Sequence, residues 1–291
     1  MNHTYVWLVR REFWENRAIW LIPAVVGAFL ILAALFGRVD LMSIPAQVPA
    51  RTVGQVFLTT VGATFFAVMS VYSTWYLLDC LYADRKDRSV LFWKSLPISD
   101  TTTVMSKLAT AMLVIPLVYF AAADLTTLMM AFIISVRDRA FIGGAFWHGD
   151  LWLQMQVLWL YVIVTAAVWY LPVAGYLLIV SAWAKRAVTL WSILPPIAAI
   201  LIEHWFFGTR VIADQFWART VGWLGLAFHL TPGSGWQTTV VENQALQTPK
   251  SVWNFIDAAG FFSSPETWIG AAVGVALIAC AVQLRTRRAE I

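Results

Sequence analysis

Along the chain, long apolar runs alternate with short charged interruptions. A helix rises 1.5 Å per residue, so about 20 mostly apolar residues cross ~30 Å of hydrocarbon. Six runs approach that length: residues 19–36, 56–78, 108–136, a crossing within the uncharged stretch 151–184, 187–207 and 267–284. Pro172 interrupts the fourth run and Pro195–Pro196 the fifth. Each proline removes a backbone hydrogen bond and favours a kink. Gly270 and Gly274 form a GxxxG in the sixth run, which permits close helix approach.

The segments outside these runs have patterns of their own. In "YVWLVRREFWENRAIW", Tyr5, Val6, Val9 and Phe13 share one helical face, and Arg10, Arg11, Glu12, Glu15 and Arg17 cover most of the rest. That pattern predicts an amphipathic interfacial helix over residues 1–18, lying along the inner membrane surface. The alternative is a cytoplasmic extension of the first span. Charges at positions 10 to 17, followed by a run long enough to remain as an anchor, argue against a cleaved signal. Residues 208–266 form an outer loop too long for a simple turn. Within it "FWARTVGWLGLAFHL" is short for a crossing and predicts a re-entrant or interfacial segment before the last span, ended by "TPGSGWQ". The predicted fold class is an all-α integral membrane protein with six transmembrane helices, residues 1–291 forming a single transmembrane domain.

Composition agrees: 60% of residues are hydrophobic and 12% charged, the mean hydropathy is +0.71, and there are 17 tryptophans. Soluble domains are roughly 45–50% apolar and about 25% charged. The net charge of +4 is therefore read as setting orientation in a lipid bilayer rather than as a sign of nucleic acid, and no nucleic-acid partner is expected. With both termini inside, 13 of the 20 Lys and Arg residues fall on the inner side. The positive-inside rule then predicts cytoplasmic N and C termini for a multi-pass protein of the cell's inner (plasma) membrane. Cys80 and Cys280 belong to no CxxC pair or Cys/His cluster, and no metal site is expected.

One interruption is unusual. "DRKDRSVLFWKSLPISD" carries seven charges, yet Val90, Leu91, Phe92 and Trp93 are consecutive and apolar. On a helix these four point in four directions. A lone surface helix would bury one of them, whereas a helix wedged between the membrane and a second protein would bury all four. Pro97 ends such a helix and Asp100 is placed to N-cap the next. Residues 79–107 thus predict a cytoplasmic docking element attached to two spans.

This stretch resembles the ABC-2-type permease family, the membrane subunits of one class of ATP-driven exporters. There the corresponding segment reads like "ERExGTLExLLxTPVS" with a later Lys. Asp84-Arg85 falls on the Glu-Arg pair, Ser89 on the Thr, Leu96-Pro97-Ile98-Ser99 on the closing Thr-Pro-Val-Ser, and Lys107 on the Lys. Lys86, Arg88 and Leu91 depart from the pattern. The likeness covers the whole topology and, at motif level, about 25 residues (84–107). It implies a permease that pairs with a second permease copy or paralogue and with an ABC ATPase subunit. Docking would fall on Asp84, Arg85, Arg88, Val90, Leu91, Phe92, Trp93, Lys94 and Pro97. The chain has no GxxxxGK[ST] phosphate loop, so ATP and Mg are expected on the partner subunit and no cofactor on this chain. It would be a transport subunit rather than an enzyme, with no catalytic residues.

Three polar residues in or near the spans are candidates for a site. Asp124 lies near the middle of the third run, where a charge costs at least ~2.5–3.5 kcal/mol on insertion scales and should face protein or water. It is read either as a substrate-path carboxylate or as a buried group bonded to a neighbouring helix. Glu203 and His204 lie at the outer end of the fifth run, where a solvated helix end accounts for them. An alternative function is a self-contained ion-coupled carrier or intramembrane enzyme built around Asp124. The aromatic-rich spans suit an amphipathic or apolar cargo.

Overall fold

A computed structural model gives the fold and describes residues 2–37, 50–86, 98–137, 146–231, 233, 236–241 and 244–288. Helix α1 (Asn2–Glu15) turns at Asn16 and Arg17 into α2 (Ala18–Phe36). Then follow α3 (Ala50–Lys86), α4 (Asp100–Arg137), α5 (Gly149–Trp169), α6 (Leu171–Trp183) and α7 (Val188–Phe207). Short elements come next: α8 (Val211–Trp217), a π-turn (Ala218–Gly222) and α9 (Trp223–Ala227). Strands β1 (Trp236–Val241) and β2 (Gln244–Pro249) lead to α10 (Val252–Phe255), α11 (Ala258–Ser263) and α12 (Pro265–Arg288).

Among the described residues six helices, α2, α3, α4, α5, α7 and α12, are long and apolar enough to cross a membrane, so the chain is a multi-pass, helical membrane protein. α3 and α4 extend further, with 37 and 38 residues, or about 55 Å each at 1.5 Å per residue. The fourth run is divided. α5 ends at Trp169, Tyr170 breaks the ladder, and Pro172 falls in the first turn of α6, where its missing N–H costs nothing. α7 instead continues through Pro195 and Pro196.

The two ends of the bundle are tied differently. At one end Arg285 of α12 and Lys107 of α4 both bond to Asp84 of α3, and Lys107 also reaches Glu12 of α1. The N-terminal helix and the last helix therefore meet at one end, as an even number of crossings requires. At the other end Arg137 donates to the carbonyls of Ala34 and Gly37 where α2 stops, and Arg51 pairs with Asp150. Away from that end, Trp169, Trp223, Phe228 and Phe261 form a buried cluster that holds α9 and α11 against the last turns of α5. The segment between α9 and α10 also contains an antiparallel hairpin, with Trp236 opposite Pro249 and Val241 opposite Gln244. The sequence showed only the turn residues before it, because a hairpin satisfies its backbone groups without a long apolar run.

α6 and α12 form the most extensively packed helix pair. Their axes approach because Gly175 and Gly274 face each other's helices. A Cβ on Gly274 would lie 2.6 Å from the carbonyl carbon of Leu171, and one on Gly175 would lie 2.7 Å from the Leu277 Cβ. Of the GxxxG pair, then, Gly274 makes the close helix contact, while Gly270 faces the Arg219 guanidinium. Gly274→Ala should accordingly lower the thermal midpoint in detergent by the equivalent of about 1–3 kcal/mol, the usual range for overpacking. Gly270→Ala should cost less, since the Arg219 head can swing aside. Fluorescence-detected size exclusion after heating distinguishes the two.

Candidate functional site

Local sequence sets up the charged end of the bundle. Tyr76, Cys80 and Asp84 follow one another at four-residue intervals, so they share one face of α3. Ser99 caps α4 by accepting from the Thr102 N–H at 3.1 Å, which leaves Asp100 as the first helical residue rather than the cap. An acid there is favoured by the helix dipole. Lys107 lies two turns further along the same face. In α1 the inward residues are Leu8 and Glu12, while Val6, Trp7 and Trp14 point outward. The face is rotated from the one that apolar spacing predicted, because Glu12 turns inward to meet partners far along the chain.

Those partners form one network. The Lys107 ammonium donates to Glu12 Oε1 at 3.0 Å and to Asp84 Oδ1 at 3.2 Å. Asp84 Oδ2 accepts from Arg285 Nη1 at 3.2 Å, and Arg285 Nε donates to Asp100 Oδ1 at 3.0 Å. Glu12 Oε2 accepts from the Tyr76 hydroxyl at 2.7 Å and from Asn16 Nδ2 at 3.3 Å, and Arg11 pairs with Glu12 Oε1 at 3.3 Å. The side chains of Lys107 and Glu12 are each 3% exposed and those of Asp84 and Arg285 each 8%. Beside α1 the network faces a cavity of about 530 Å³ whose walls include Tyr72, Trp75, Tyr76 and Asp79.

The predicted site residues are scattered. Asp84 belongs to the buried network. Arg85 donates to the carbonyls of Ser181 and Ala184, tying the end of α3 to the end of α6. Arg88, Val90, Leu91, Phe92, Trp93, Lys94 and Pro97 lie outside the described residues. Asp124 is half-buried and accepts from Gln156 Nε2 of α5 at 3.1 Å. Glu203 is 7% exposed, covered by the turn it organises. Its carboxylate accepts from Thr209 Oγ1 at 2.7 Å and from the N–H groups of Val211 and Ile212 at 2.6 and 2.7 Å, capping α8. His204 points outward. Asp124 and Glu203 thus serve separate local contacts, and neither joins the network.

Sequence reasoning passed over Glu12, Tyr76 and Arg285. Glu12 was grouped with the polar face, and Arg285 was counted only as an orienting charge. The available signal was the isolation of Lys107 at the mouth of a long apolar run, a position that calls for a counter-charge. Among the described residues no group of three or more His, Cys, Asp or Glu is placed to hold a metal ion. No protein-family model matches the chain, and neither a curated protein nor a solved structure matches it significantly.

In this arrangement the described carboxylates of Glu12, Asp84 and Asp100 are each met by a cation. What it provides is a fixed set of opposite charges joining α1, α3, α4 and α12. Lys107→Met leaves two buried carboxylates short of their shared cation and should cost about 3–5 kcal/mol, the range seen when one partner of a buried pair is removed. Adding Glu12→Gln should recover part of that loss, since Asp84 keeps Arg285. A double-mutant cycle on thermal midpoints in detergent reads the coupling.

Proposed function

We propose that the chain is the membrane-spanning permease subunit of an ATP-driven exporter of the ABC-2 type, powered by a separate ATPase subunit that carries ATP and Mg, and paired with a second permease. The support is the resemblance of residues 84–107 together with one structural observation. Residues 87–97, which hold the Val90–Trp93 block, are flanked by Asp84 and Asp100, and both of these bond to Arg285. Lys107 extends the connection to Glu12. A displacement of either flank therefore reaches the first and last helices of the chain through short, buried, charge-assisted bonds.

In this reading residues 79–107 are the cytoplasmic coupling segment, and both termini are cytoplasmic in the plasma membrane. α1 lies in the interface, with Val6, Trp7 and Trp14 toward lipid and Glu12 toward the bundle. Tyr5 bonds to the Met105 carbonyl while Glu12 bonds to Lys107, consistent with α1 crossing α4 rather than running beside it. Closure of the ATPases shifts the coupling segment, and the bundle moves between two packings that ATP and cargo each prefer. Asp124 accepts a described hydrogen bond from Gln156 of α5 and lies apart from the charge network.

The experiment is co-expression with the cognate ATPase followed by affinity purification and transport in liposomes. Trp93→Glu places a charge in the docking block and should abolish co-purification while leaving the permease folded. Arg285→Ala should leave co-purification intact but lower transport per ATP hydrolysed, because it cuts the linkage behind the docking element. Retained association and transport in Trp93→Glu would refute the reading.

A further inference from the structure

Beside the charge network, between α3, α4, α5, α6 and α7, lies a cavity of about 490 Å³. Two irregularities of the chain meet there. The α4 ladder widens into a π-turn at Thr110–Val114, which contributes Ala111 and Met112 to the wall. The break at Tyr170 separates α5 from α6, and α5 and α6 contribute Ala166, Ala167 and Ala174. α3 contributes Ser70 and Ser73, again small. Single-turn π-bulges concentrate at functional sites, and small side chains on four helices leave space that ordinary packing would fill. The fifth wall is α7, whose only buried residue before its last turn is Val188.

The chemistry of the lining is restrictive. No charged side chain contributes to it. Of the lining hydroxyls, Ser70, Thr74 and Ser192 already donate to the carbonyls of Phe66, Ser70 and Thr189, each at 2.8 Å, and Tyr170 donates to the Thr220 carbonyl at 2.6 Å. An ionic or sugar-like molecule would lose its hydration without replacement. An apolar one loses nothing and gains contact with Phe66, Met69, Leu77 and Ile163. The volume falls within the roughly 300–1,000 Å³ range of small-molecule sites.

We infer that this cavity is a binding site for an uncharged apolar molecule taken from the membrane interior, admitted past α7. Its use as a cargo site rests on the exporter reading; the binding itself does not.

The test uses the full chain in lipid nanodiscs with a diazirine-bearing hexadecanol, followed by mass-spectrometric mapping of adducts. The expected result is saturable labelling at Ser70, Met112 and Ala167, displaced by unlabelled hexadecanol and not by dodecyltrimethylammonium. Ser70→Phe and Ala167→Phe, on different helices, should each lose the saturable component. Non-saturable labelling of the outward-facing Phe132 and Val164 should persist in both and serves as the control for a folded chain. Labelling that is non-saturable everywhere, or equal on lining and outward residues, would mean contact with bulk lipid only and would overturn the inference. So would equal displacement by the cationic amphiphile. Saturable binding by a chain that never associates with an ATPase would leave the cavity standing and remove the exporter reading. Association and transport without saturable labelling would do the reverse.

Discussion

The Asp84 carboxylate divides its two oxygens between Lys107 and Arg285, and the end of the bundle depends on that division. One bond joins α3 to the next helix and the other to the last, 201 residues away, and Lys107 passes the connection on to Glu12, 95 residues earlier. Bringing these groups together removes several charges from water, a cost of several kcal/mol per ion that mutual attraction only partly offsets. The network is therefore poorly explained as a source of net stability. Its effect is better seen in what it forbids. A register slip of one helix turn in α3, α4 or α12 would leave an unpaired ion in an apolar bundle. Apolar side chains allow many near-equivalent packings of long helices, and the ions select one. The close glycine contact between α6 and α12 then fixes the level of α12 independently, with steric rather than electrostatic means.

Much of this fold was legible in the sequence, and the reasons are unequal. The six spans could be read because a crossing helix needs about 20 apolar residues and few alternatives fit such a run. The division of the fourth run had its signal in Pro172. The capping of α4 was displaced by one residue, since Ser99 and Asp100 are both good caps and only the contact with Arg285 decides between them. The candidate site was far less legible. A helical wheel assumes that charge faces water, and Glu12 breaks that assumption because its partners come from elsewhere in the chain. Counting basic residues by side has the same blind spot. Lys107 and Arg285 were credited to orientation, yet both are internal ligands with almost no exposure. Their contribution to orientation during insertion and their role in the folded bundle are separate physical effects carried by the same side chains.

Glu203 and Asp124 show the converse. Each was conspicuous in sequence as an acid within or beside a span. Each has an ordinary structural occupation, one capping the short helix after α7 and the other accepting from Gln156. Conspicuousness arose from the cost of burying a charge; at Glu203 a local turn supplies three donors, and at Asp124 the described donor is one amide. The residues that hold distant segments together were less visible because they lie near the ends of spans, where charge is expected.

The charge network and the apolar cavity are linked by α3. Tyr76 bonds to Glu12, while Trp75, Leu77 and Leu78, its immediate neighbours, line the cavity. Within one helical turn the same stretch of backbone therefore forms a wall of the cavity and a strut of the network. An uninterrupted α-helix transmits a rotation or tilt along its length with little loss, since each turn is closed by its own hydrogen bonds. A shift of Asp84 by a tilt of α3 must move Trp75 and Leu78 in proportion. On its opposite side the cavity meets α7, which is fastened to little besides α3 and α6. One wall is thus rigidly geared to the ion network and the other is loosely held. Loss of a single ion pair would change the shape of the cavity more readily than it would unfold the bundle, because the apolar contacts of Phe65, Ile115, Tyr119 and Leu178 in the core involve no ion at all.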